Sequence, residues 1–125
     1  MTQTVMSVND LVRAAKGAAG TLTAEEVQLA QEQGATLIDV REPPETKNGR
    51  IRGAHTIPRG TLEFKVGDVT EDHDTRIVTY CSAGSRAALA AAALRQLGYA
   101  GAIASDAGYD DLVRQGLAVE APNAD

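Results

Sequence analysis

Ile77-Val78-Thr79-Tyr80-Cys81-Ser82-Ala83-Gly84-Ser85-Arg86, running straight into the alanine-rich residues 87–97, decides the fold. The first four residues are β-branched or aromatic, the composition of a short buried strand. Residues 87–97 are rich in alanine, carry Leu89, Leu94 and Leu97, and stop at Gly98, which predicts a helix. Between them lie four small residues, Ser82, Ala83, Gly84 and Ser85, so the chain passes from strand to helix through a tight loop. Cys81 leaves the carboxyl end of the strand, where open parallel sheets bind their ligands.

Working outward, the same alternation recurs. Leu37-Ile38-Asp39-Val40 predicts a short strand ended by Arg41-Glu42-Pro43-Pro44, and residues 54–58 and 100–105 predict two more. Ser7 opens a helix over residues 7–16 that Gly17 and Gly20 break, and Thr23-Ala24-Glu25-Glu26 has the form of a capping box opening a second. Residues 59–75 read as loop with one helical turn, 109–115 as a helix ending at Gly116, and 117–120 as an extended tail. Strands alternating with helices predict an α/β sandwich, a small and mostly parallel sheet with helices on both faces. We expect an N-terminal helical extension over residues 1–21, packed on or beside a single domain over residues 22–125. A chain of 125 residues is too short for two independent cores.

Composition narrows the function. The net charge of −5, with no basic run, argues against nucleic acid and anionic membrane surfaces as partners. One cysteine cannot form an internal disulfide, and the N-terminus lacks the charged and apolar regions of a secretion signal. No stretch is long enough to span a bilayer. The expected setting is the cytoplasm, where a free thiol persists.

The chemistry converges on Cys81. The small residues Ser82, Ala83, Gly84 and Ser85 let the loop curl so that successive N–H groups point at one centre, beside a helix N-terminus. Those donors, the helix dipole and the Arg86 guanidinium all favour the charged form of sulfur. Gly84 supplies backbone geometry that other residues resist. With two His and one Cys far apart in sequence, no zinc-ligand spacing is present, and no organic cofactor is implied. His55 reads as a structural histidine and His73 as part of a solvated acidic loop, while Glu42 and Glu45 form a charged turn at the pocket rim.

Cys-Ser-Ala-Gly-Ser-Arg (81–86) resembles the six-residue active-site loop of rhodanese domains. Residues 37–45, with Asp39, Arg41 and Glu45, are similar to that family's Asp-Val-Arg-Glu signature. Residues 49–58 resemble its Gly-Ala…Ile-Pro segment, and Leu97-Gly98-Tyr99 with Ala107-Gly108-Tyr109 its downstream motifs. The four matches fall in order over residues 22–120.

The resemblance implies a sulfurtransferase that moves sulfane sulfur, from a donor such as thiosulfate, to a thiophilic acceptor through a Cys81 persulfide. The acceptor would be cyanide, a thiol or a sulfur-acceptor protein. Residues Ser82 to Arg86 would form the anion cradle, with Arg59 near the pocket and Asp39 and Arg41 a structural network beside it. Three positions depart from the family pattern: Ser82, often arginine in members that use thiosulfate, Ala107 in place of the first paired glycine, and Leu112 in place of an aromatic. Two other readings remain open. One is a catalytically silent rhodanese-like module that binds partners or senses oxidants. The other is a Cys-based phosphatase or arsenate reductase, whose phosphate loop has one residue more than the four between Cys81 and Arg86.

Overall fold

The computed structural model describes residues 5–121. A five-stranded sheet forms the middle layer, in the order β1-β6-β5-β2-β4, built from β1 (Thr21–Leu22), β2 (Thr36–Asp39), β4 (His55–Thr56), β5 (Ile77–Tyr80) and β6 (Ala102–Ser105). Every pairing within it is parallel. A small antiparallel ribbon joins β3 (Arg50–Ile51) to β7 (Val119–Glu120). The mostly parallel α/β sandwich is therefore as the sequence predicts.

Strand periodicity sorts the core into two layers. Ile38 and Ile77 point to the side covered by α1 (Val8–Ala19), α4 (Leu62–Val69) and α5 (Ser85–Gln96). Leu37, Val78 and Tyr80 point to the other side, under α2 (Ala24–Glu32) and α6 (Tyr109–Gln115). The alanines of α5 have a packing purpose. Ala87, Ala88, Ala90 and Ala91 are all buried, so the helix presents small side chains both to the sheet and to α1. Each large aliphatic residue buried in these layers contributes on the order of 1.5–3 kcal/mol.

Local signals placed most elements. Ser7 and Thr23 both cap their helices through complete capping boxes, with Asp10 and Glu26 as the returning acids. Three expectations differ from what is found. Gly17 does not break α1, which continues to Ala19 and stops at Gly20 with φ 82°; Gly17 sits in open space and costs only local helix propensity. Residues 59–75 hold a 3-10 turn (Arg59–Thr61) and the full helix α4, because Leu62 and Val66, one turn apart, are buried under the sheet. The strand expected over 54–58 is only His55–Thr56, on the sheet edge.

The extension expected over residues 1–21 lies, where it is described, against α5, and its last residue, Thr21, pairs with Ala104 in the central sheet. Among the described residues no helix is long and apolar enough to cross a membrane.

Candidate active site

The site sits where the middle strand of the sheet runs out. β5 ends at Tyr80, Cys81 follows, and α5 begins at Ser85, one residue after Gly84. Gly84 has φ 102°, a left-handed conformation that costs glycine little and other residues more. That turn lets the loop fold back over Cys81. The Cys81 sulfur accepts the Gly84 N–H at 3.1 Å and the Ala87 N–H at 3.4 Å. Because Gly84 has no capping side chain, the sulfur satisfies one of the helix's unpaired first-turn donors in its place. The residue is 1% exposed, whereas Ser82, Ala83 and Ser85 on the same loop are exposed. The Thr79 hydroxyl donates to the Ala87 carbonyl at 2.8 Å and fixes the first turn of α5 to the strand.

A second loop, between β6 and α6, clamps the first. The Tyr109 N–H donates to the Cys81 carbonyl at 2.9 Å. Gly108 passes so close to Ser82 that a Cβ there would fall 1.7 Å from the Ser82 carbonyl oxygen. With φ −78° and ψ 174°, Gly108 is in a conformation open to any residue, so glycine is required there for space.

Charge at the mouth is arranged differently from the sequence expectation. The Arg86 guanidinium, expected at the sulfur, forms a two-pronged pair with Glu45 at 2.6 and 2.9 Å. Glu45 also accepts the Ser82 hydroxyl at 2.7 Å and the Glu42 N–H at 3.0 Å. Glu45 reaches the loop from the short helix α3 (Pro43–Thr46), where prolines suit the first helical turn. Arg86 chiefly holds the Glu45 carboxyl well below the usual carboxylate range; partial burial opposes this, and Glu42 and Ser82 add to it. In return Glu45 raises the Arg86 pKa, against burial, with smaller contributions from Cys81 and Glu42.

A carboxylate depressed in the folded state stabilises that state fully above its unfolded value, about 4.3 for Glu. The contribution is lost as the pH falls from there toward the folded value. Between pH 7 and pH 3, the urea midpoint of the natural chain should therefore fall further than that of Glu45→Gln. Parallel midpoint curves would remove Glu45 from the acid response.

Behind this rim lies the buried pair Asp39–Arg41. The Arg41 guanidinium contacts both Asp39 oxygens at 2.8–3.1 Å and donates to the Gly49 carbonyl at 2.9 Å. It also stacks on the Tyr109 ring, 4.0 Å from its centroid. Burial works against the Arg41 charge, and Asp39 outweighs it, leaving the pKa raised. Asp39 and Arg41 thus form a buried pair against the Tyr109 ring of the clamp. Tyr80, next to them, accepts the Ile51 N–H at 3.0 Å; burial first, and the Asp39 charge second, keep its phenol neutral.

Arg59 pairs with Glu63 at 2.8 Å, and together they line a groove with Leu11 and Ala15 of α1 and Leu89 of α5. No hydrogen bond or ion pair of Arg59 joins it to the Cys81 loop; its N–H donates to the Val40 carbonyl at the end of β2. His55 is exposed, and His73 stacks on Tyr99 with ring centroids 4.2 Å apart. Among the described residues no group of three or more His, Cys, Asp or Glu could hold a metal ion. Glu45 is the residue that sequence reasoning left at the rim and the structure brings onto the loop. Its signal was its place in the Asp39…Glu45 signature.

With the Cys81 loop at the end of a central parallel strand, the chain belongs to the rhodanese-like domain family, whose model matches residues 23–115. It is 32% identical over 95 residues to a sulfurtransferase of Allochromatium vinosum, the match covering 76% of this chain and 87% of that protein. The fold is similar to the polysulfide-sulfur transferase homodimer of Wolinella succinogenes, with a TM-score of 0.76 and 29% identity over 91% of this chain and 87% of the other. It is also similar to a Rhodopseudomonas palustris protein of unknown function described as a possible tyrosine phosphatase. That likeness has a TM-score of 0.82 and 26% identity over 96% and 99% of the two chains. The chain is thus a member of a sulfurtransferase family.

Proposed function

We propose that the protein transfers sulfane sulfur through a persulfide on Cys81. The observation that carries this reading is the sulfur's position, facing the Gly84 and Ala87 N–H groups at the start of α5. Such donors stabilise a thiolate, and they can equally hold the outer sulfur of a persulfide. The Cys81 thiolate attacks the outer sulfur of thiosulfate, the S–S bond breaks, and sulfite leaves with the electron pair. Cyanide, a low-molecular-weight thiol or an acceptor protein then attacks the outer persulfide sulfur and returns Cys81 as thiolate. The exchange balances without an added oxidant or reductant. As the chain's only cysteine, Cys81 has no internal partner to resolve the persulfide, so turnover depends on the external acceptor.

Intact-mass spectrometry after incubation with thiosulfate, and separately with a low-molecular-weight persulfide, tests the reading. One added sulfur is expected, removed by cyanide and absent from Cys81→Ala. An unmodified chain with every sulfane donor would sink it. A second reading, a silent partner-binding module, draws on the burial of Cys81 and the commitment of Arg86 to Glu45. It predicts that unmodified outcome.

A further inference from the structure

The sulfurtransferase reading leaves open which donors reach Cys81, and the pairing of charges around the loop bears on that choice. The loop's one cation is Arg86, and Ser82, next to Cys81, is neutral. Its hydroxyl donates to Glu45 at 2.7 Å, and the same carboxylate takes both prongs of Arg86. The Glu45 and Arg86 side chains are 32% and 35% exposed, which places the pair at the rim, in reach of an approaching donor. The other cations around the site are matched as well: Arg41 by Asp39, and Lys16 by Asp106 on the clamp loop, at 2.9 Å. Glu42, exposed beside Glu45, is close enough to act on the Arg86 charge. Arg41, Arg86 and Lys16 are thus each paired with a carboxylate, and none of the three is left unmatched to receive an anionic donor.

We infer that Glu45, held in place by Ser82, sets the donor specificity of Cys81, favouring persulfides on neutral or amine-bearing thiols over inorganic dianions. The inference rests on the sulfurtransferase reading. A carboxylate at a half-exposed rim repels an approaching anion, and a dianion feels this twice. A zwitterionic persulfide feels little of it. The chemistry stays the same with either donor: the Cys81 thiolate takes the terminal sulfur of R–S–SH, the S–S bond breaks, and R–S⁻ leaves. Only the encounter and the binding of the donor change. Glu45 is a positioning residue here, because it acts through Arg86 and the field at the mouth.

The test measures single-turnover persulfidation of Cys81 by thiosulfate and by cysteamine persulfide, at several salt concentrations. In the natural chain, added salt should speed the thiosulfate reaction by screening the repulsion and leave cysteamine persulfide nearly unaffected. In Glu45→Gln, the ratio of the thiosulfate rate to the cysteamine persulfide rate should rise about tenfold, and the salt acceleration should weaken to the part set by the Cys81 thiolate and the rest of the chain. Ser82→Arg, which adds a cation without removing Glu45, should raise the same ratio. A merely structural role for Glu45 would slow both donors by one factor and leave the ratio and the salt response unmoved, which overturns the inference. If Glu45→Gln does not fold, Ser82→Ala decides: loss of the hydroxyl that holds Glu45 should raise the ratio, and an unmoved ratio overturns the inference. Failure of the natural chain to react with either donor instead overturns the sulfurtransferase reading, and this inference with it.

Discussion

Asp39→Ala is expected to cost about 3–5 kcal/mol of folding stability, because it strands the Arg41 guanidinium without its counter-charge. Asp39 is wholly buried and Arg41 is 5% exposed, so water cannot take the place of the missing carboxylate. Three guanidinium contacts and one backbone contact to Asp39 disappear together. The remaining acceptor within 3 Å, the Gly49 carbonyl, does not carry a full charge. A domain of this size has about 5–15 kcal/mol in total, so the variant should sit near the edge of folding at room temperature. Urea unfolding followed by circular dichroism measures the loss. The double variant Asp39→Ala/Arg41→Met, which removes the charge as well, should recover part of it. A loss below about 1 kcal/mol for the single variant would mean that Arg41 finds solvent despite its burial.

Gly108→Ala should cost about 3 kcal/mol, at the upper end of overpacking penalties. The added methyl would lie 1.7 Å from the Ser82 carbonyl oxygen and 3.2 Å from the Ala83 nitrogen. Both are backbone atoms, so no side chain can swing aside to relieve the clash. Either the clamp loop lifts, breaking the Tyr109 N–H bond to the Cys81 carbonyl, or the Cys81 loop is pushed against α5. In both cases the sulfur loading proposed for Cys81 should fall with stability, by at least tenfold for a displaced loop. The comparison variant is Gly67→Ala. Gly67 lies in α4 with nothing within 4 Å of the added methyl, so that change should be neutral or mildly stabilising. A Gly108→Ala chain that unfolds at the natural midpoint would show that the two loops part without cost.

These features were unequally visible beforehand. The Cys81 loop was legible because strand, loop and helix follow one another without interruption, and each announces itself through local composition. The Ser7 cap and the Thr23 capping box were legible for the same reason. The helix α4 was not, since Gly60, Gly67 and alternating charges hide a face made of Leu62, Val66 and the partly buried Val69. The pairing of Arg86 with Glu45 spans 41 positions and depends on how α3 returns toward α5. Nothing near Arg86 signals that its charge is already matched. The need for glycine at position 108 is likewise set by a neighbour distant in sequence, Ser82, and its own backbone angles ask for nothing special.

The strand order also has a consequence for how the chain is made. Thr21 pairs with Ala104, so the first strand to leave the ribosome must wait for nearly the last. At about 5–20 residues per second, that interval is roughly 4 to 17 seconds. Until α5 is made, Val12, Ala15 and Ala19 of α1 lack the surface that later covers them, and Leu22 lacks β6 through the whole interval. The β6–α6 segment that brings Gly108 and Tyr109 over Cys81 emerges later still. The nascent protein therefore seals its apolar helix when α5 arrives and its Cys81 loop only when the β6–α6 segment follows.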